Sequence, residues 1–244
     1  MIIAHNRIFF KRSDGALFLC PKGVTTTNIT RNKAIEGLEN YGLFQPFLTA
    51  GKYEIPVIAP VYELPQLKWI DFSAARSFRG NGKEIGVHFF TDDYRFNSVW
   101  LQAAKYSEMP ARFGAILSPD FSMYRDMPKT LQIYNHYRKH WCAQYWQNLG
   151  AVVIPTISWS DSASWDFCFD GEPTGSIVAV STIGVRRDKE ALGLFAAGYS
   201  EMLDRLQPKC VLCCGDVLGF MAADVLVVQF GAFCDKFRNF GKEE

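Results

Sequence analysis

Uninterrupted apolar runs alternate with amphipathic segments along most of the chain from residue 84 onward. The runs AVVI (151–154), IVAV (177–180), VLCC (211–214) and VLVV (225–228) contain no strongly polar residue. A strand with one face in water alternates apolar and polar positions, so these runs predict strands that are covered on both faces. Such strands are typical of a parallel sheet packed between helices.

Six strands and three helices are predicted in this region. The strands are expected at 84–90, 112–117, 151–157, 176–183, 209–214 and 224–230. The helices are expected at 93–106, 128–150 and 187–208, where apolar residues recur at three- and four-residue steps. Pro128 stands at the start of the longest helix and Gly150 at its end, as is typical of helix termini. The alternation predicts an α/β fold with a mostly parallel sheet.

The shape of the sheet is less strongly specified than its class. Short connections follow one another, and no glycine-rich phosphate turn follows the first strand. These features favour a barrel-like sheet of the TIM type, closed or incomplete, over an open doubly wound sheet.

The first part of the chain has a different pattern. Residues 1–50 are expected to form an irregular segment, with a hairpin around residues 13–15 and a short helix ending near Gly42, packed on the main domain. Three prolines make residues 53–65 extended rather than helical. Residues 51–244 are then expected to form a single α/β domain, a size that can bury a substantial core.

Composition and charge exclude several functions. The 244 residues carry a formal net charge of +1, so no field of the whole molecule attracts nucleic acid or an anionic membrane. No apolar run is long enough to span a membrane, and residues 1–10 are too short and polar for a signal peptide. We therefore expect no membrane partner and a cytoplasmic location.

The cysteines do not indicate a disulfide framework. There are seven, and Cys210 and Cys213 form a C-x-x-C pattern inside a predicted strand. Side chains three positions apart on a strand point to opposite faces, so these two thiols are expected in the core and not on one metal ion.

Polar residues follow the predicted strands at their carboxyl ends, the side of a parallel sheet where ligand sites form. Several alternate with aromatic residues, which favours a lined pocket over simple helix capping. The candidate catalytic residues are Asp120, Asp161, Asp92 and His88, and the candidate substrate-binding residues are Trp159, Ser122, Thr182, Asp170, Arg138 and Arg186.

Each candidate has a structural alternative. Carboxylates that meet in a cleft bind Mg²⁺ or divide acid and base roles, but they also cap turns or pair with arginines. His88 lies in an apolar strand, where a core histidine is the more common role. His136 and His140 are four residues apart on the long helix, a spacing compatible with zinc, but their surroundings favour a solvated helix face.

Three longer segments resemble a known family. These are GVHFFTDDYRF (86–96), SPDFSMYRDMPKTLQIYNHYR (118–138) and IPTISWSDSASWDFCFDGEPTGSIVAVSTIGV (154–185). They are similar to the domain-of-unknown-function family 4417, found in bacteria and their phages, over roughly residues 50–230. The resemblance implies a phage or mobile-element setting in a bacterial host cell. It implies no activity, substrate or catalytic residue.

Two functional hypotheses follow, beside a structural or assembly role that the near-neutral charge and an aromatic surface would permit. One is an enzyme that acts on a nucleotide, a nucleobase or a nucleic-acid end through the acidic and aromatic pocket. The other is a non-enzymatic protein that binds nucleic acid or a host protein, for replication control or to block host defence, through the basic and aromatic face of the long helix. The absence of P-loop, G-x-S-x-G, H-E-x-x-H and dinucleotide-binding motifs disfavours the common hydrolases, kinases and dehydrogenases.

Overall fold

The structure is a computed structural model, and it describes residues 47–64 and 66–231. In the N-terminal region it also describes Ile2–Ala4, Arg7–Lys11, Leu17–Leu19, Thr25–Thr26 and residues 39, 40 and 43.

Strands and helices largely alternate from residue 68 onward, after six described strands in the preceding part of the chain. The strands are β1 Ile2–Ala4, β2 Arg7–Lys11, β3 Leu17–Leu19, β4 Thr25–Thr26, β5 Leu48–Ala50, β6 Ile55–Pro56, β7 Lys68–Asp71, β8 Ile85–His88, β9 Ala115–Leu117, β10 Val153–Ile154, β11 Ile177–Ser181, β12 Cys210–Cys214 and β13 Leu226–Phe230. The α-helices are α1 Phe72–Ser77, α2 Ser98–Leu101, α3 Lys129–Asn148 and α4 Lys189–Leu206.

Seven parallel strands form the centre of the fold. One sheet has the order β10-β9-β8-β7 and another the order β11-β12-β13, and every pairing in both is parallel. A parallel bridge between Thr156 and Ala179 connects the end of β10 to β11. The predicted α/β class with parallel strands is confirmed. Most of the runs that lack alternation are buried, as in β8, β9, β10 and β12. The run 225–228 is the exception, because Leu226 is 65% exposed and Val228 is 43% exposed on the outer strand β13. The expectation that this run is covered on both faces is wrong.

A closed barrel is not observed. No hydrogen-bonded pairing joins β7 to β13 among the described strands. The rings of Trp69 on β7 and Phe230 on β13 nevertheless stack with centroids 4.8 Å apart. The two outer strands of the seven therefore approach each other through side chains.

Two apolar clusters cover the faces of the sheet. On β12, Cys210, Leu212 and Cys214 belong to the cluster that contains Trp141 of α3. Val211 and Cys213 belong to the cluster that contains Tyr199 of α4. The expectation that Cys210 and Cys213 point to opposite faces is therefore confirmed. No described helix has the length and apolarity that crossing a membrane requires.

Helix α3 buries a polar face, which explains why its apolar pattern is weak. The side chains of Gln144 and Gln147 donate to the carbonyl oxygens of Val57 and Ala59, at 2.7 and 3.0 Å. Gln147 also accepts from the amide of Ala59, at 2.8 Å. These bonds satisfy the backbone of an extended segment that has few sheet partners. The segment is not helical, as its prolines predict.

The N-terminal expectations are only partly covered by the described residues. Strands β2 and β3 pair antiparallel, with Phe10 opposite Phe18, and the expected turn between them lies outside the described residues. Strand β4 pairs with β5, and β5 with β6. Most of the expected short helix also lies outside the described residues. The division into residues 1–50 and 51–244 stays a prediction.

Candidate functional site at the carboxyl ends of the strands

Two adjoining cavities lie at the carboxyl ends of β8 to β11. The larger has a volume of about 640 Å³ and the smaller about 260 Å³. Seven residues line both cavities: Phe90, Asp120, Ser158, Trp159, Ser181, Val185 and Ala191. The volumes are in the range of small-molecule sites, which are mostly apolar with a few placed polar groups.

Asp120 is the carboxylate at the junction of the two cavities. Burial raises the pKa of Asp120 from 3.8 to about 6, and the negative charge of Asp93 adds to this increase. The positive charge of Lys139 and the Ser158 hydroxyl lower the pKa, with smaller effects than that of burial. The Ser158 hydroxyl oxygen is itself buried and makes no hydrogen bond of ordinary geometry among the described residues. A carboxyl group of this kind exchanges protons near neutral pH and is suited to general acid–base chemistry.

Ser118 and Thr156 hold together the segments that carry Asp120 and Ser158. The Thr156 amide donates to the Ser118 hydroxyl at 2.8 Å, and the Thr156 hydroxyl donates to the Ser118 carbonyl at 2.9 Å. Both residues are buried. Asp120 and Ser158 each follow two residues later, so these two hydrogen bonds from Thr156 to Ser118 set their separation.

Three side chains fix the loop beyond Asp120. The carboxylate of Asp93 accepts from the amide and the hydroxyl of Ser122, the latter at 2.7 Å. Asn135 of α3 donates to the Ser122 carbonyl. The guanidinium of Arg138 lies 3.8 Å from the centre of the Phe121 ring. These contacts hold the two residues that follow Asp120, and they thereby fix the position of Asp120 relative to the end of β9.

A buried ionic network lies behind the cavity. The Lys139 ammonium donates to Glu172 Oε1 at 2.7 Å and to the Thr156 carbonyl at 2.8 Å. His140 Nε2 lies 2.9 Å from the same Glu172 oxygen. Lys139, His140 and Glu172 are all buried. The network ties α3 to the end of β10 and supplies a positive charge near Asp120.

The mouth of the larger cavity carries charged and aromatic groups. Asp92 and Arg95 line it and form an exposed ion pair at 3.8 Å. Tyr124 also lines the mouth and is exposed. Next to it, Arg125 pairs with Glu190 at the start of α4, which connects the β9–α3 loop to α4.

Four of the ten candidate residues line the larger cavity: Asp120, Asp92, Ser122 and Trp159. Of these, Ser122 is engaged with Asp93, and the Trp159 indole donates to the Leu194 carbonyl at 3.2 Å while its ring packs on Phe195.

The other candidates lie elsewhere. Asp161 caps the 3-10 helix Ser162–Asp166 by accepting from the Ala163 amide at 2.9 Å, as the capping alternative predicts. The Thr182 hydroxyl is turned inward to the Asp216 carbonyl at 2.8 Å. Arg186 forms an exposed ion pair with Asp216. None of these three lines either cavity.

The remaining candidates are structural in their surroundings. His88 is buried next to the rings of Phe90 and Phe230. Asp170 is half-buried, and burial raises its pKa, but it packs against Gly51 outside both cavities. Arg138 has a side chain only 14% exposed, and it donates to Asn97 and pairs with Asp93. The basic face expected on the long helix is therefore wrong, because Arg138, Lys139 and His140 point into the protein.

The shared acidic cluster expected for Mg²⁺ is not formed by the described residues. Asp161 is used as a cap and Asp92 is at the rim, whereas Asp120 lies deeper. The group of three that has ligand spacing is His136, His140 and Glu172, away from the cavities.

Sequence reasoning missed Phe90, Ser158 and Ser181, which line both cavities. Phe90 and Ser158 are the second and fourth residues after β8 and β10, and Ser181 is the last residue of β11. In extended backbone, the side chains of alternate residues lie on the same side. Counting positions from the end of each strand therefore selects these residues as possible cavity-lining residues, in addition to the neighbouring candidates.

Comparisons with known proteins identify the family. Residues 47–231 match the family described as a domain of unknown function (DUF4417). The chain belongs to this family. It is 41% identical over 170 residues to the "Gene 1 protein" of Mycobacterium phage D29, and 42% identical over 165 residues to the "Gene 1 protein" of Mycobacterium phage L5.

The match covers 69% of this chain and 63% of the D29 protein, and 64% of this chain and 72% of the L5 protein. The chain thus spans less than two thirds of the length of the D29 relative. The resemblance found in the sequence is confirmed, and both relatives support its phage association. No solved structure matches the chain.

Proposed function

We propose that the protein is a phage enzyme that acts on a nucleotide, a nucleobase or a nucleic-acid end, with Asp120 as its general acid and base. The observation that carries the proposal is the position of Asp120, which lines both cavities with a pKa raised to about 6. A group that exchanges its proton near neutral pH is useful in both directions of proton transfer.

The walls of the cavities support a planar, polar ligand. Phe90 and Trp159 offer aromatic surface, and Ser158 and Ser181 offer hydroxyls on the same walls. Nucleobases combine flat faces that stack on aromatic rings with edges that form hydrogen bonds. At the mouth, Arg95 provides a cation for a phosphate or sugar-phosphate group.

A barrel-like sheet is the scaffold that we propose for this site. The stacking of Trp69 on Phe230 supports it, since these rings belong to the first and last of the seven parallel strands. In such a sheet the carboxyl ends of all strands surround one opening. The host-cell cytoplasm, where nucleotides and phage nucleic acid are present, is the proposed location.

The alternative of a non-enzymatic binder has less support. Its contact surface would be the basic and aromatic face of α3, but Lys139 is buried in an ion pair with Glu172, and His140 is buried beside the same carboxylate. An exposed row of cations for phosphate contacts is therefore missing from that helix. The enzyme hypothesis depends on groups that line an open cavity instead.

The test is a search for a compound that binds and is then converted. The full chain is incubated with bases, nucleosides, nucleoside mono- and triphosphates, and oligonucleotides with 5′- or 3′-phosphates. Binding is measured from the shift in Tm, and products are detected by mass spectrometry. We expect one class of compound to raise the Tm and to be converted by the wild type.

The variants Asp120→Asn and Asp126→Asn separate chemistry from folding. Asp126 is an exposed carboxylate in the same loop, so its substitution should leave turnover unchanged. Asp120→Asn should retain binding and lose turnover by about 10²-fold or more, as expected for loss of a general acid or base. Wild-type turnover in Asp120→Asn would show that the assignment is wrong, and so would Tm shifts that are absent across all compound classes.

A further inference from the structure

A second cluster with the chemistry of a binding site lies outside both cavities. His136 and His140 lie one turn apart on α3, and Glu172 comes from the segment before β11. One ligand atom from each of the three lies within 4.8 Å of the others. All three residues are buried.

In both histidines, one ring N–H donates a hydrogen bond to a backbone carbonyl oxygen. His136 Nε2 lies 3.0 Å from the Asp170 carbonyl oxygen, and His140 Nδ1 lies 2.7 Å from the Pro56 carbonyl oxygen. A carbonyl only accepts, so each of these nitrogens carries the hydrogen. Histidines that bind metal ions are oriented in this way, with the second nitrogen left as the ligand.

The second nitrogens face no donor among the described residues. His136 Nδ1 has no hydrogen-bond partner there, and neither has Glu172 Oε2. His140 Nε2 lies 2.9 Å from Glu172 Oε1. In the neutral ring that carries its hydrogen on Nδ1, a lone pair of Nε2 faces this carboxylate oxygen. Buried acceptors without a donor are costly, and a cation between them removes the cost.

We propose that His136 Nδ1, His140 Nε2 and the Glu172 carboxylate bind a zinc ion. Two imidazoles and a carboxylate are a common zinc ligand set, whereas Mg²⁺ prefers oxygen ligands only. The ion would be structural, because the cluster is buried and ties α3 to the chain segment that contains Asp170 and Glu172. This inference is independent of the enzyme proposal, since none of the three residues lines a cavity.

Lys139 opposes zinc binding and provides a discriminating variant. Its ammonium donates to Glu172 Oε1 at 2.7 Å, so the carboxylate is shared between two cations. Charges buried together interact strongly. We therefore expect the Lys139→Met variant to keep its zinc and to bind it more tightly than the wild type does.

The experiment measures zinc in the purified full chain, both as isolated and after refolding with Zn²⁺. Elemental analysis should find about one zinc ion per chain in the wild type and less than about a tenth in His136→Gln. His5→Ala is the matched control and should keep the wild-type content. Glu172→Gln provides a second ligand variant if His136→Gln does not fold.

Cobalt distinguishes this site from the cysteines. Co²⁺ bound in place of zinc should show ligand-field bands of a nitrogen and oxygen site without the thiolate charge-transfer absorption that cysteine ligands produce. The inference is overturned by wild-type protein that stays zinc-free after refolding, by zinc that persists in both His136→Gln and Glu172→Gln, or by a thiolate spectrum. Protein that stays zinc-free would indicate that His140 is protonated and that its Nε2–H donates a hydrogen bond to Glu172.

Discussion

Lys139 Nζ lies 2.8 Å from the carbonyl oxygen of Thr156, which anchors α3 to the end of β10. The same ammonium is paired with Glu172. One buried cation thus connects helix α3, the end of β10 and the segment that contains Glu172. Its contribution to stability can be measured directly.

We expect Lys139→Met to cost about 3–5 kcal/mol of unfolding free energy, because it leaves the Glu172 carboxylate buried without its cation. Urea denaturation in the presence of EDTA measures this cost without interference from metal ions. The double variant Lys139→Met with Glu172→Gln should recover much of the loss.

A matched surface pair provides the control for this prediction. Lys129 donates to Asp166 at 3.0 Å on the exposed surface, where ion pairs contribute little. Lys129→Met should leave the unfolding free energy almost unchanged. Equal losses in Lys129→Met and Lys139→Met would contradict the assigned role of the buried pair.

Removing either of the two hydrogen bonds that Thr156 donates to Ser118 should destabilise the protein. Ser118→Ala leaves the buried Thr156 amide without its acceptor, which costs about 1–3 kcal/mol. Thr156→Val removes the donor to the Ser118 carbonyl. A double-mutant cycle should show coupling between the two positions, since they share one hydrogen-bonded unit.

Ser77→Ala is the control for the loss of a serine hydroxyl. Ser77 donates to the Ala74 carbonyl at the exposed end of α1, so its removal should have little effect. Additive losses in the Ser118 and Thr156 variants would show that the two residues do not act as a unit.

Asp120→Asn should stabilise the protein at pH 8 and not at pH 4. Asp120 has a pKa of about 6 in the folded protein and an ordinary value of 3.8. Between these values the folded state binds more protons than the unfolded state, so stability is lost as the pH rises. The substitution removes this cost, and we expect a gain of about 1–3 kcal/mol above pH 7.

Urea denaturation at the two pH values tests the sign of the effect. Asp161→Asn is the control, because Asn and Asp cap helix starts about equally well. A gain for Asp120→Asn at pH 4 that equals the gain at pH 8 would contradict a raised pKa at this position.

Arg138→Lys should loosen the Asp120 loop although it keeps the charge. Lysine cannot reproduce the guanidinium that lies over the Phe121 ring and donates to Asn97. A desolvated contact of this type contributes about 2 kcal/mol. We expect a lower Tm and faster hydrogen exchange in residues 119–123, which mass spectrometry measures.

Arg79→Lys, an exposed position, is the control for the arginine-to-lysine change. Its Tm and exchange rates should match those of the wild type. Unchanged exchange in Arg138→Lys would mean that Asp93 and Asn135 hold the loop by themselves.

The sequence by itself determined the class of the fold. Apolar runs without alternation, such as those of β11 and β12, predict strands covered on both faces, and this pattern needs no partner to be recognised. The polar residues after the strands likewise predict the side of the sheet where the cavities lie. Asp120 is identified in this way, because the side chain of a residue that follows a buried strand so closely has to lie near the carboxyl end of that strand.

Only the tertiary structure decided which polar residues meet. Asp161 and Thr182 follow strands as Asp120 does, but local capping and a neighbouring carbonyl use their side chains. The face of α3 was predicted wrongly because its buried side is polar, and it satisfies the backbone of a proline-rich segment far away in the sequence.

Glu172 shows the limit most clearly. Nothing near it in the sequence marks it as a partner of Lys139 and His140, since they lie more than thirty residues apart. Periodicity reports whether a side chain is on a buried or an exposed face, because that depends on local geometry. The partner that a buried charge meets depends on how distant segments pack, and only the folded chain determines it.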